Sequence, residues 1–418
     1  SAAYHLVQKN NNNDATTGRH NNNNPNGLLI IDAGPEPGEG VEPRRSGSAT
    51  MTATAPCVKM MVQVYAGSSA DFLQHHGATG AGRYLTATRR GLALQKQIAK
   101  ETWKNTLKQE DDPPLKELGS YYVAYKEDEE QLRQEYETLL ELGCIDDQIE
   151  WCDSARLCQV PGLGHKFHCG IHFPNDAVID SSRYSKDVLK HMLQESEGKV
   201  QFRSNVRVTA VTEETELATV QLESGETLTA RHVVLATGAL HRHPHLNGLL
   251  KPCYSYLVHV PTTSAPACDA SPNFFTWGFS HDWCYTNRKI RISGEDHFSA
   301  DKPPRTEQRC ANLSRWTLEQ YDCTISDERE LADYPQQYGL YSETPDMVPL
   351  IGYLDYNKNN ASSKSRICHL LGCNAWGQTI LSYCSSLIPG LLGYQELTAE
   401  QHDTLPLVSI SRFSEVPH

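Results

Sequence analysis

Apolar and polar positions along the chain fall into two kinds of pattern. Unbroken apolar runs closed by small or acidic residues stand near the start, in the middle and near the end: Leu28–Ile31 closed by Asp32 and Gly34, HVVLATGAL closed by Thr237 and Gly238, and HLLG closed by Gly372. Such a run suits a strand buried on both faces, so each predicts a parallel strand with its closing residues at the carboxyl end. Alternation marks other stretches. ATVQLESGETLTA reads as two strands around a Ser-Gly turn, and Tyr254 to Asp296 alternates aromatic and β-branched residues as an antiparallel sheet does. VQFRSN and VRVTAVTEE read as strands, and CGIHFPNDAVID as a short hairpin or strand pair. Helical spacing runs over about Tyr84 to Glu110, Glu127 to Leu142 and Ser185 to Glu197, and again from near Gln378.

The opening segment SAAYHLVQK is small and then amphipathic, like a helix packed on a sheet. The polar stretch from Asn10 to Asn24 cannot bury apolar surface and predicts a disordered loop insertion. Helix, loop, apolar strand and terminal acid form the second half of a βαβ unit. Because the chain begins at Ser1, the first strand and its turn are expected to lie upstream. Parallel signals flank antiparallel ones, which predicts an α/β protein: a Rossmann-like domain interleaved with an antiparallel-sheet α+β domain. The expected boundaries are 1–60, 185–250 and 335–418 for the nucleotide-binding domain. Residues 61–184 and 251–334 form the substrate domain with a helical insert.

Composition narrows the classes of function. The 418 residues carry 38 basic and 51 acidic side chains, a net charge of −13, which disfavours a nucleic-acid or anionic-membrane partner. No apolar run approaches the ~20 residues of a transmembrane helix. The 13 cysteines are odd in number and scattered from Cys57 to Cys384, favouring free thiols in the cytoplasm or an organelle matrix over secretion.

Several residues have chemistry suited to a nucleotide. An acid ending a second strand, here Asp32, accepts hydrogen bonds from ribose hydroxyls, although a strand-end Asp also makes plain turns. In GEGVEPRRSG, Gly40 and Gly47 allow close backbone approach while Arg45, with Arg44, and Ser46 can donate to a pyrophosphate; a solvated basic turn is the other reading. Thr237 and Gly238 allow backbone contact with a nucleotide. Gly372 and Gly377 flank Asn374 in a turn that feeds a helix whose free N–H groups suit an anion. The clusters HKFHCGIH and HRHPH have metal-ligand residue types but no second ligand pair at a standard spacing, so both read as structural.

These pieces, taken in order, resemble the D-amino-acid oxidase superfamily of FAD-dependent oxidoreductases, which includes glycine oxidase and sarcosine oxidase. SAAYHL resembles the helix after its glycine turn, LLIIDAG the strand with the ribose acid, and GEGVEPRRSG the loop over the pyrophosphate. CGIHFPNDAVIDSSRY resembles the opening of the substrate domain, and VRVTAV the strand whose Val208 contacts adenine through its backbone. VVLATGA, IRISGED, LYSETPDMVPLIG and LGCNAWGQTIL complete the set. The resemblance implies FAD, hydride transfer from an amine or amino acid to flavin N5, hydrolysis of the imine, and reoxidation by molecular oxygen to hydrogen peroxide. It places Gly377, Gln378 and Thr379 at the flavin and makes Tyr285, Arg291, Trp376 and Gln378 candidates for the catalytic pocket, with His281 and Arg288 beside them.

The departures matter as well. Gly339 stands where some members carry a cysteine joined to FAD, and RRSG lacks the histidine others use, so non-covalent FAD is expected. Thr379 stands where sarcosine oxidase-like members place a carboxylate-binding lysine. That loss leaves open a non-catalytic FAD-binding scaffold. An RNA-modifying oxidase of the same fold is disfavoured by the charge.

Overall fold

Side-chain alternation in the middle of the chain builds one large sheet. The computed structural model describes residues 27–33, 60–62, 65, 67–104, 114–143, 149–164, 166–213, 217–240, 246–261, 270–286, 289–299, 306–321, 334, 336–354 and 365–413. The large sheet has eight strands in the order Gln336–Glu343, Lys251–Pro261, Lys289–Phe298, His281–Thr286, Ala270–Thr276, Ser120–Ala124, Cys169–Phe173 and Glu150–Asp153. Its neighbours are antiparallel except Ala270–Thr276 against Ser120–Ala124, which run parallel. One face presents Tyr256, Val258, Phe274, Trp283, Tyr285, Ile290 and Ile292, and the Thr306–Gln320 helix covers it with Cys310, Leu313 and Leu318. On the other face Tyr122, Ile171, Phe173 and Phe275 enter a second core with Tyr65, Phe72, Tyr84, Ile380 and Leu387. Each such fully buried large side chain contributes roughly 1.5–3 kcal/mol.

Two helices organise that second core. Ser69–Thr102 is capped by Ser68, whose side chain accepts from the Asp71 N–H, and it bends at Gly77, where φ is 63°. Its Gly91 lies so near the Gly377–Leu391 helix that an added Cβ would sit 1.8 Å from the Thr379 carbonyl oxygen. The helix Glu129–Glu141 supplies Glu135, which accepts from the Ser69 N–H at 2.9 Å and the Ser69 hydroxyl at 2.5 Å.

The apolar runs form parallel pairs: Leu28–Ile31 with Val200–Arg203, and Val233–Leu235 with Ile367–Leu371. Leu350–Tyr353 joins the second pair antiparallel. Ala218–Leu222 and Thr227–Ala230 form the expected hairpin about Gly225 (φ 87°) and pair on with Val208–Glu213. CGIHFPNDAVID is not a hairpin. Cys169–Phe173 pairs within the large sheet, whereas Ala177–Ile179 pairs with Met60–Met61 and Leu115–Lys116. The opening helix and the asparagine runs lie outside the described residues. Among those residues no helix is long and apolar enough to cross a membrane.

Candidate functional site

The turn between strand Ile367–Leu371 and helix Gly377–Leu391 concentrates backbone strain. Gly372, Asn374 and Ala375 have φ of 74°, 49° and 62°. A non-glycine residue in this left-handed region costs about 1–3 kcal/mol and persists only where surrounding contacts impose it. Here the contacts are identifiable. Buried Asn374 accepts the Thr344 N–H at 2.8 Å and the Thr344 hydroxyl at 3.1 Å through Oδ1, and donates through Nδ2 to the Gly372 carbonyl at 3.0 Å. Its own N–H donates to the Ser342 carbonyl at 3.0 Å. The Thr344–Met347 turn is held from its other side by Arg412, which forks onto Asp346 at 2.6 and 2.9 Å and donates to the Val348 and Pro349 carbonyls. The helix that follows has no side-chain cap, and its buried face mixes apolar residues with the small polar side chains of Thr379, Ser382 and Ser385. Its first N–H groups therefore carry roughly half a positive charge into whatever lies against them.

An aromatic wall stands against this helix start. Trp376, the residue before the helix, meets Phe275 edge-on at 4.9 Å between centroids and Phe279 at 4.8 Å. Tyr122 stacks on Phe275 at 4.7 Å and on Phe279 at 4.9 Å, with Trp277 at 5.5 Å. The loop presenting Trp277 and Phe279 is itself strained, with φ of 78° at Gly278 and 56° at Phe279.

The register carries the wall into a polar patch. Tyr122, Phe275, Asp282, Ser293 and Leu257 are successive cross-strand partners, so they form one row on a single face of the large sheet. The next row holds Asn273, Cys284, Arg291 and His259. Asp282 accepts the Ser293 hydroxyl at 2.6 Å. Burial pushes its carboxyl up to about 7, against the Ser293 hydrogen bond and the Arg291 charge, which both pull it down. Further along, the Tyr341 hydroxyl donates to Asp296 at 2.7 Å and to Glu343 at 3.1 Å, and burial raises both carboxyls.

The same parity sends other residues elsewhere. Tyr285 is fully buried among the rings under the Thr306–Gln320 helix, and His281 stacks on Trp316 of that helix at 4.2 Å. Both therefore lie on the face opposite Asp282, Cys284 and Arg291. Burial lowers the His281 imidazole to about 4. Trp376 is in the aromatic wall. Gln378 is half-buried, and its carbonyl accepts from Gln95 at 3.0 Å. Thr379 is buried on the side facing the long helix, its hydroxyl donating to the Val62 carbonyl at 2.7 Å. An added Cβ at Gly377 would lie 2.5 Å from Cys373 Cβ, and at Gly372 2.6 Å from Thr344 Cγ2. Asp32, Thr237 and Gly238 are exposed just past the carboxyl ends of parallel strands, while Val208 begins a strand half-buried. Gly40, Arg45, Ser46, Gly47 and Arg288 lie outside the described residues. Trp277, Phe279, Asp282 and Tyr341 escaped the sequence reading, although counting by two from the buried Trp283 and Tyr285 places Asp282 on the other face.

Residues 1–388 match the model of the DAO family, described as FAD dependent oxidoreductase. The chain belongs to that family. Its cofactor is therefore FAD, and the exposed strand ends and the uncapped helix start fit a dinucleotide-containing flavin. Glycine oxidase from Geobacillus kaustophilus is similar in structure, with a TM-score of 0.64 at 14% identity over 95% of this chain and 92% of that one. Iminodiacetate oxidase from Chelativorans sp. BNC1 gives 0.63 at 15% identity over 95% and 94%. L-alpha-glycerophosphate oxidase from Mycoplasma pneumoniae, with FAD bound, gives 0.64 at 12% identity over 94% and 92%. At such identities the likeness establishes the fold and leaves the substrate open. No curated protein matches the chain.

Proposed function

We propose that the protein oxidises a C–N bond of an amine or amino acid, releasing an imine that water hydrolyses, with molecular oxygen as acceptor. The observation that carries this reading is the braced Gly372–Gly377 turn, which starts an uncapped helix against an aromatic wall and a carboxylate-bearing sheet face. When bound, FAD supplies the hydride acceptor. Asp32, Thr237, Gly238 and the Val208 backbone hold its adenosine end, and Gly40, Arg45, Ser46 and Gly47 its pyrophosphate. Gly372 and Asn374 fix the turn, and the N–H groups of Gly377 and Gln378 at the helix start would favour negative charge on the bound cofactor. Trp376, Trp277 and Phe279 exclude water and hold the apolar part of the substrate. Because the Thr379 hydroxyl is committed to Val62, Arg291 or Arg288 is the candidate for a substrate carboxylate.

The test is the full-length protein, purified and examined by visible spectroscopy. A flavin spectrum that a primary, secondary or N-methyl amine bleaches without oxygen supports the reading, and peroxide release on admitting air identifies an oxidase. A protein without flavin overturns it. Bound flavin that no amine bleaches instead identifies a non-catalytic FAD-binding scaffold.

A further inference from the structure

We propose that Asp282 is the group that takes the proton from the substrate ammonium, so that the amine is neutral when the C–H bond breaks. This rests on the amine-oxidation reading above and names a residue for a step that reading leaves unassigned.

The chemistry requires such a group. A carbon can lose hydride only if the attached nitrogen has a lone pair to form the C=N bond, and alkylammonium ions at neutral pH have none. The balanced sequence is transfer of one N–H proton to the Asp282 carboxylate, then departure of the α-hydrogen with its electron pair to the oxidised flavin. The nitrogen lone pair forms the new C=N bond, and water then hydrolyses the iminium.

The geometry gives Asp282 the position. Its cross-strand partner is Phe275, whose ring meets Trp376 immediately before the helix start, so the carboxylate borders the aromatic wall. That wall suits the organic part of a cation and the carboxylate suits its N–H groups. The Ser293 hydroxyl fixes one carboxylate oxygen at 2.6 Å. Among the described residues, the groups facing Asp282 come from four elements. Ser293, Arg291 and, further along, Asp296 come from strand Lys289–Phe298, and Cys284 from its own strand. Asn273 and Phe275 come from Ala270–Thr276, and Tyr122 lies one strand beyond. Tyr341 and Glu343 act only through Asp296, and His281 lies on the opposite face. A carboxyl poised at about 7 can be ionised to receive a proton and can release it again near neutral pH.

The test compares holoenzyme pH profiles for wild type, Asp282→Asn, Asp282→Glu and Ser293→Ala with an amine that bleaches the flavin. Wild-type kcat/KM is expected to rise through a limb near pH 7. Asp282→Asn loses that limb and on the order of 10²-fold in rate at pH 8, recovering at alkaline pH where the amine deprotonates in solution. Asp282→Glu restores the limb. Ser293→Ala moves it to higher pH, because it removes a hydrogen bond that favours the charged form. A second readout needs no turnover. Binding of tert-butylamine, which has no α-hydrogen, is followed by the flavin absorbance change and should tighten by up to about tenfold from pH 6 to 8 in wild type but not in Asp282→Asn. An Asp282→Asn enzyme that keeps the pH 7 limb and the wild-type rate overturns the proposal while leaving amine oxidation intact. Failure of every amine to bleach wild type overturns the function itself.

Discussion

At the scale of single residues, Asn374 and Ala375 share one left-handed turn but answer to different forces. Ala375 is exposed with φ of 62°, and no described hydrogen bond engages its side chain. Its backbone conformation costs about 1–2 kcal/mol that glycine does not incur, against about 0.5–1 kcal/mol for the greater freedom of glycine in the unfolded chain. Ala375→Gly is therefore expected to stabilise the protein by about 0.5–1 kcal/mol, read as a rise in urea midpoint at constant slope. A clear drop in the midpoint contradicts this account. Asn374→Ala removes the acceptor for both Thr344 donors, leaving a buried N–H unsatisfied, and should cost about 2–4 kcal/mol. It should also weaken FAD binding, measured by fluorescence of released flavin, because the turn loses its brace. The strain was not legible in LGCNAWG: the glycines marked a turn, but which non-glycine residues take positive φ depends on Asn374 finding Thr344 thirty residues away.

At the scale of elements, what the chain conceals is mostly partnership. The Ser-Gly hairpin at Leu222–Thr227 was legible because both strands and the turn are contiguous. The strands around Pro174 look equally like a hairpin, yet each pairs with a segment far away in sequence. Likewise the long helix begins at Ser69 rather than near Tyr84, because Gly77 interrupts the periodicity that the Ser68 cap and the Glu135 carboxylate restore. The crossing of that helix with Gly377–Leu391 is equally silent in sequence, and its closest approach is at Gly91. A methyl group there would strike the Thr379 carbonyl, a backbone atom that cannot swing aside. Gly91→Ala should force the helices apart and cost at least about 1–3 kcal/mol. Because the displaced helix is the one whose start is proposed to meet the cofactor, the loss in thermal midpoint should be accompanied by weaker FAD binding. A variant with wild-type melting temperature in both apo and FAD-bound forms would show that the crossing is looser than described.

For the whole molecule, the parallel ends and antiparallel middle were legible because apolar runs and alternation are local properties. The candidate site was legible only in part, since it joins residues from Tyr122 to Trp376 and depends on the register of four strands. That assembly leaves a signature in stability. Asp282 titrates near 7 in the fold, and Asp296, Glu343 and Glu135 are raised as well, burial being the first cause for each. A carboxyl whose folded value lies above its unfolded value binds more protons in the native state between the two. Its stabilising contribution is whole below the unfolded value near 4 and declines as pH rises through the folded value. These four groups therefore make the folded state less stable from about pH 4 toward pH 7–8, opposite to the usual behaviour of salt-bridged carboxylates. Below about pH 6.5 the buried His281 imidazole, lowered to about 4, contributes stability that grows as pH rises and opposes this decline, so thermal midpoints of the FAD-free protein should fall between about pH 6.5 and 8 at constant ionic strength. Asp282→Asn removes a group raised to about 7, so it should flatten the decline between about pH 6.5 and 8. An unchanged slope above about pH 6.5 in that variant would mean that Asp282 is ionised in the fold well below neutrality, and that water reaches it more freely than its setting beside Phe275 allows.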